Sequence, residues 1–417
     1  MDGTATPFDQ KKAIDTIRVL SIDAIQQANS GHPGAPMGAA PMTYALWSAF
    51  LKHAPTRPDW IDRDRFVLSA GHASMLLYSM LHLTGYDLPL EEIKRFRQFG
   101  SKTPGHPEYG WTAGVDATTG PLGQGFSNAV GMAVAERRLA AEFNQPGHEI
   151  IDHWTYTICS DGDLQEGIAA EAASLAGHLK LGKLIALYDD NDIQLDGPTE
   201  MAWSEDVLAR FEAYGWHVQR VADGEDVSAI EAAIEAARAD ERPSIISVKT
   251  VIGAGSPNKA GTHKVHGAPL GADEVAATKS ALGFDPEASF AIDAAVLAHF
   301  REAAENGDDL VTEWEGRLAA YAEAFPEAGA ELRRRIDGVL SEDWDAELPA
   351  YATGDDDIAT RNASKNATAG LAGGVPELIG GSADLSGSNL TDIADGGVFS
   401  ADESGRNIRY GVREHAM

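Results

Sequence analysis

The stretch WTYTICSDGDLQEGIAAEAASLAGHLKLGKLIALYDDND, residues 154 to 192, decides the fold. It opens with an apolar run that breaks at Ser160-Asp161-Gly162-Asp163. A small-residue stretch of helical composition follows, Gln165 to Leu179. A second apolar run then ends at Asp189-Asp190-Asn191. Two continuous apolar runs of strand length joined by a helix read as one βαβ unit of a parallel sheet buried on both faces. The pattern recurs outward in RFVLSAGH (65 to 72) and PSIISVKT (243 to 250), with a helical stretch at Asp226 to Ala239. The fold class expected is α/β, a doubly wound parallel sheet, with its polar chemistry at the carboxyl ends of the strands.

From Asp285 to Ala346 the chain turns charged, Ala-rich and helical, and it ends in the linker-like SEDWDAELPAYATGDDD (341 to 357). A second α/β segment restarts at Ile358, with a helix through ATRNASKNATAGLA and strands at ELIGGSADL and NIRYGV. The expected organisation is a first domain over 1–284, a helical region and linker over 285–350, and an incomplete second α/β domain over 351–417. The 417 residues are 43% hydrophobic and 23% charged, with no run approaching a membrane span and no secretory signal in the polar MDGTATPFDQKK. Cytoplasm is therefore the expected compartment. The single cysteine, Cys159, lies in an apolar run and reads as a buried strand residue. A net charge of -31 argues against nucleic acid and anionic membranes as partners, so an anionic substrate needs local cations.

Asp161 and Asn191 stand thirty positions apart, about one βαβ unit, so both reach the same sheet edge. A hard Mg2+ ion takes one or two protein side chains beside phosphate oxygens and water. Asp161, the Asn191 side-chain carbonyl and the Ile193 main-chain carbonyl suffice, with Ca2+ or Mn2+ as substitutes. Gly162 admits a phosphate to the main chain ahead of free helical N–H groups. Taken alone, Asp-Gly at a strand end is commonly just a turn. SDGDLQEG followed by YDDNDI resembles, however, the thiamine diphosphate motif of the transketolase family, GDG and then Asn about thirty residues on. Ser160 stands where that motif has its first glycine, and would be strained if the position required positive φ. TTGPLGQGFSNAVGMAVAE (118 to 136) resembles the family's GPLGQG loop, which implies cofactor contacts at Gly120, Pro121 and Leu122.

Four histidines occupy Gly- or Pro-rich loops: His32 in NSGHPGAP, His72 in SAGHASML, His106 in TPGHPEYG and His266 in KVHGAPLG. An imidazole titrating near neutrality suits proton traffic around sugar hydroxyls. Zinc ligation is the rival, but spacing such as HExxH is absent. The family resemblance extends to these contexts. It implies that His32 and His266 contact the ketose carbonyl region and stabilise charge, and that His72 and His106 line the cofactor and substrate channel; His263 is left structural. Arg361 in DIATRNAS is a fork for phosphate oxygens, and Ser388 in GGSADLSGSNLT adds a hydroxyl. Both resemble phosphate-binding positions of the family, although Gly387 replaces a common proline. The same resemblance makes Asp384 a cofactor contact.

The last residues, YGVREHAM (410 to 417), resemble the family's pyrimidine-domain signature. Thiamine chemistry benefits from one carboxylate on the aminopyrimidine, and Glu414 is the candidate. Glu166 is implied as its hydrogen-bond partner across a subunit interface. The resemblance thus implies reversible transfer of a two-carbon ketol unit between sugar phosphates, in the pentose phosphate pathway and the Calvin cycle. It also implies a homodimer with the site at the subunit interface. Dihydroxyacetone synthase shares these motifs, and a non-catalytic cofactor-binding half-subunit is the rival of another class. The family extends beyond Met417, so the chain alone is expected to need a missing carboxy-terminal segment for activity.

Overall fold

In the computed structural model, which describes residues 8–417, five strands form one wholly parallel sheet. They are β1 (Arg65–Leu68), β2 (Thr155–Ser160), β3 (Leu184–Asp190), β4 (His217–Val221) and β5 (Ser244–Lys249), in the spatial order β1-β2-β3-β5-β4. Every residue of β2 and β3 is buried, as strands covered by helices on both faces must be. Four of these strands lie where the apolar runs predict them. β4 was not anticipated: as an edge strand it is largely half-buried, and His217, Gln219 and Arg220 leave it no continuous apolar run. Cys159 is buried in β2, its thiol toward the Leu187 carbonyl and its pKa pushed up by burial.

Helices Gln10–Ala28 and Ser74–Thr84 pack together on one face, and Gln124–Phe143 and Gly167–Leu179 on the other. The charged region after Asp285 is helical, as expected, in two pieces, Ala294–Ala324 and Pro326–Ile336. Phe325 breaks them at φ -132, because a residue before proline is driven out of the helical region. These helices clasp the first domain through Trp314, whose indole N–H donates to the Ile150 carbonyl at 2.9 Å amid Trp60, Phe143 and Leu332.

The second segment forms the helix Thr360–Gly374 and a three-stranded parallel sheet of Gly380–Ser382, Asn407–Arg409 and Val398–Phe399. Val398–Phe399 was not anticipated, being too short for a period. Arg406 closes the end of the helix by donating to the carbonyls of Ala372, Val375 and Leu378. Phe399 and Ile408 join the apolar cluster around the helix Gln124–Phe143. Among the described residues no helix is long and apolar enough to cross a membrane.

One buried group gives the fold a pH dependence. His53 is 4% exposed between Trp47 and Tyr86, its Nδ1 3.1 Å from the Tyr86 hydroxyl. Burial first, then the Arg63 charge, lowers its pKa to about 3. The folded value lies below the ordinary one near 6.5, so this stabilisation is complete above that pH and is lost as pH falls toward 3. Replacing His53→Asn removes the proton uptake. Between pH 6 and 4 the fall of unfolding free energy should become shallower by about 1.4 kcal/mol per pH unit. Urea titrations across that window measure the slope; an unchanged slope would show that His53 carries no part of the acid sensitivity.

Candidate active site

The strand register assembles the site. Ser160 at the end of β2 lies opposite Asp189 of β3, and Leu68 of β1 opposite Ile158, so three carboxyl ends finish on one edge. Asp161 follows directly and is buried; the Tyr188 hydroxyl donates to its Oδ1, whereas Oδ2 has no partner. Burial pushes the Asp161 carboxyl up to about 7, opposed by the Tyr188 bond and reinforced by the charges of Asp189, Asp190 and Asp192. Asp189 is raised to about 6, again chiefly by burial. Asn191 folds its loop back: Oδ1 accepts from the Ile193 N–H at 2.9 Å and Nδ2 donates to Asp189 at 3.0 Å.

Ser160 has φ -116 and ψ 172, extended backbone open to any residue, so serine in place of the motif glycine carries no strain. It caps the short helix Asp161–Gln165 in a reciprocal box with Asp163. Asp163 was not singled out from the sequence, although the S-x-x-D spacing is a capping signal. It is wholly buried and accepts from the Ser160 N–H and hydroxyl through Oδ2, and from the Ser69 hydroxyl (2.7 Å) and the Gly123 N–H (2.8 Å) through Oδ1. One carboxylate thus ties the end of β1, the 118–125 loop and the end of β2 together. Asp163→Ala strands these donors in the interior and should cost about 3 kcal/mol or more. Denaturant unfolding checks this; a loss under about 1 kcal/mol would deny the tying role.

A cleft of about 470 Å3 opens over this edge. Asp161, Gly162, Asn191 and Ile193 line it together with Gly120 and Leu122. His32, His72 and His266 line it too, with ring centres 5.2 to 6.0 Å apart. Burial lowers the pKa of all three, to about 4 for His32 and about 3 for His72, so they are neutral at pH 7. His266 Nδ1 is buried without a partner. Gly120 has φ 145, and a Cβ there would come within 3.2 Å of the His106 ring, so only glycine fits. Asp189, Gln165, Gln194 and Leu195 are among the lining residues that the sequence did not assign.

Of the other sequence candidates, only Glu166 lines the cleft. His106 is exposed beside Gly120, and Pro121 is exposed. Glu166 lines the cleft and is exposed at the start of the helix Gly167–Leu179. Arg361, Asp384, Ser388 and Glu414 are exposed on the second segment, outside the cleft lining of the same chain. Glu414 sits in a turn whose next two amides, His415 and Ala416, each donate to Glu171 at 2.9 Å.

Residues 9–341 match the family model of the transketolase thiamine diphosphate binding domain, and residues 356–417 that of the transketolase pyrimidine binding domain. The chain belongs to the transketolase family. It is 58% identical over 409 residues to a transketolase of Halalkalibacterium halodurans, covering 98% of this chain and 61% of that protein. A transketolase of Geobacillus stearothermophilus is likewise 58% identical, over 411 residues and the same shares. A crystal structure of Pichia stipitis transketolase in complex with sedoheptulose 7-phosphate superposes with a TM-score of 0.95 at 50% identity, over 98% of this chain and 61% of that one. The chain thus spans about 61% of the length of these relatives.

The matched family model is a thiamine diphosphate binding domain, and the chemistry of the cleft residues would suit a cation beside such an anion. Asp161 Oδ2 is a buried acceptor without a donor among like charges. Among the described residues no three His, Cys, Asp or Glu side chains are grouped to enclose a metal. A cation at Asp161 therefore needs further oxygens from amide carbonyls and from its ligand's phosphates, as a hard ion does.

Proposed function

We propose that this chain carries the diphosphate half of a transketolase site, working in reversible transfer of a two-carbon ketol unit from a ketose phosphate to an aldose phosphate. The observation that carries the reading is the meeting, in one cleft, of an unpartnered buried carboxylate with three neutral histidines. Asp161, Asn191 and the Ile193 main chain would hold Mg2+, with Gly120, Pro121, Leu122 and Gly162 against the diphosphate. Bound thiamine diphosphate supplies the electron sink for cleaving a carbon–carbon bond beside a carbonyl. His32 and His266 orient the ketose carbonyl region and donate to developing negative charge, while His72 and His106 border the path of the substrate.

The pyrimidine side is expected from a second copy. Glu414, Asp384, Arg361 and Ser388 are exposed on their own chain, and Glu414 lies outside its cleft. In a homodimer Glu414 would meet Glu166 of the facing subunit and serve as the activating carboxylate, with Asp384 on the cofactor and Arg361 and Ser388 on substrate phosphate. An open groove of about 590 Å3 between the helix Gln124–Phe143 and Ile379, Ile408 and Tyr410 offers a surface for such pairing.

The test is ketol transfer from xylulose 5-phosphate to ribose 5-phosphate, coupled to triose phosphate detection. It is run on the 417-residue chain and on the chain joined to the remaining family length. Cofactor-dependent turnover in the joined protein is expected. Absence of turnover there, with cofactor bound, would overturn the activity and leave a cofactor-binding module.

A further inference from the structure

In a chain with 64 acidic and 33 basic residues, a guanidinium beside the cleft without a carboxylate invites explanation. Arg97 is such a group: among the described residues its guanidinium is partnered by Ser30 and His32 and not by a carboxylate. Its backbone is held at φ 61 by the bond from its N–H to the Thr103 carbonyl at 2.9 Å, and the guanidinium lies over the Phe96 ring. A left-handed arginine costs energy, so the surroundings over-determine this placement. Nη1 donates to the Ser30 hydroxyl at 2.8 Å, Nε is buried without a partner, and Nη2 stands 3.4 Å from His32 Nδ1.

A guanidinium can only donate, so His32 Nδ1 must present its lone pair and the ring proton must sit on Nε2. That nitrogen lies on the side of the Gly267 loop, 3.6 Å from where a Gly267 Cβ would be. The other titratable groups facing His32 are His72, His106 and His266, all cationic when protonated, so none draws a second proton onto the ring.

We propose that Arg97 is a positioning residue for His32: it fixes the neutral ring with its proton on Nε2, so that His32 meets a developing oxyanion as a hydrogen-bond donor and does not act as a base. The catalytic consequence rests on the ketol-transfer reading of the cleft. The tautomer is a property of the ligand-free protein and stands or falls alone.

Nitrogen NMR of 15N-histidine-labelled protein at pH 7, with His32→Gln to assign the signals, reads the tautomer directly. Protonated Nε2 and bare Nδ1 are expected at His32. A proton on Nδ1, or on both nitrogens, overturns the proposal whatever the enzyme does. In Arg97→Met the signal should move toward a mixture of tautomers, and Arg97→Lys should restore part of it; a pure Nε2–H signal in both variants also overturns it. In the active enzyme Arg97→Met should lower kcat roughly tenfold, the low end for loss of a residue that orients a working histidine. The KM values should change little. In a His32→Ala background the same substitution should add nothing; an equal further loss there would place Arg97 on the substrate itself and sink the positioning role. If Arg97→Met fails to fold, the wild-type tautomer and Arg97→Lys still decide. If ketol transfer is absent altogether, the activity reading fails while the tautomer result still judges this one.

Discussion

Replacing Asp161→Asn is expected to weaken thiamine diphosphate binding in Mg2+ severely while making the ligand-free protein more stable. The two effects share one cause. Asp161 is buried beside Asp189 and within the field of Asp190 and Asp192, so its charge is disfavoured until a cation arrives. Asparagine keeps an oxygen for the Tyr188 hydroxyl but removes that charge. A carboxylate in contact with a cation is worth about 4 kcal/mol per unit charge at an effective dielectric near 20. Its loss should therefore weaken binding roughly a hundred- to a thousandfold. Without ligand the substitution relieves repulsion, and the melting temperature should rise by about 1 to 3 °C. Calorimetric titration with cofactor and Mg2+ beside scanning calorimetry of the ligand-free protein reads both. Unchanged affinity refutes the metal assignment, whereas a fall in stability makes Asp161 a structural residue.

Glu414→Gln should separate binding from turnover. Glu414 is exposed and outside its own chain's cleft, and the turn bearing it is held by Glu171 through the His415 and Ala416 amides. The substitution is nearly isosteric and leaves that anchor in place. Cofactor affinity should stay within a few fold, but under the proposed activating role the substitution should lower kcat by about 10² to 10⁴. Both are measured on one preparation that turns over. Activity within tenfold of the parent would remove Glu414 from the mechanism. Equal losses in affinity and rate would make it a binding residue.

These two residues also mark how far the amino-acid order reaches. β2 and β3 were legible because a strand covered on both faces must be apolar throughout, so the polar breaks at Ser160 and Asp189 stand out as strand ends. Parallel pairing then puts Asp161 and Asn191 on one edge with no further information. β4 and Val398–Phe399 escaped notice, one because an exposed edge tolerates polar residues, the other because two residues hold no period.

What the sequence by itself determined is the sheet and its polar edge, with a set of candidate groups for the chemistry, since local patterns of burial and motif spacing are written along the chain. Tertiary structure alone decided which of those groups meet and in what state. His32, His72 and His266 come from loops far apart in sequence and converge only because helices and strands bring them over one edge. Their neutrality follows from burial in company, a property of the packed cleft and of no single residue. Asp163 and Arg97 belong to the same class. Each acts through hydrogen bonds to residues 40 to 94 or 65 to 67 positions away, and such partners are chosen by three-dimensional proximity, which no local pattern encodes.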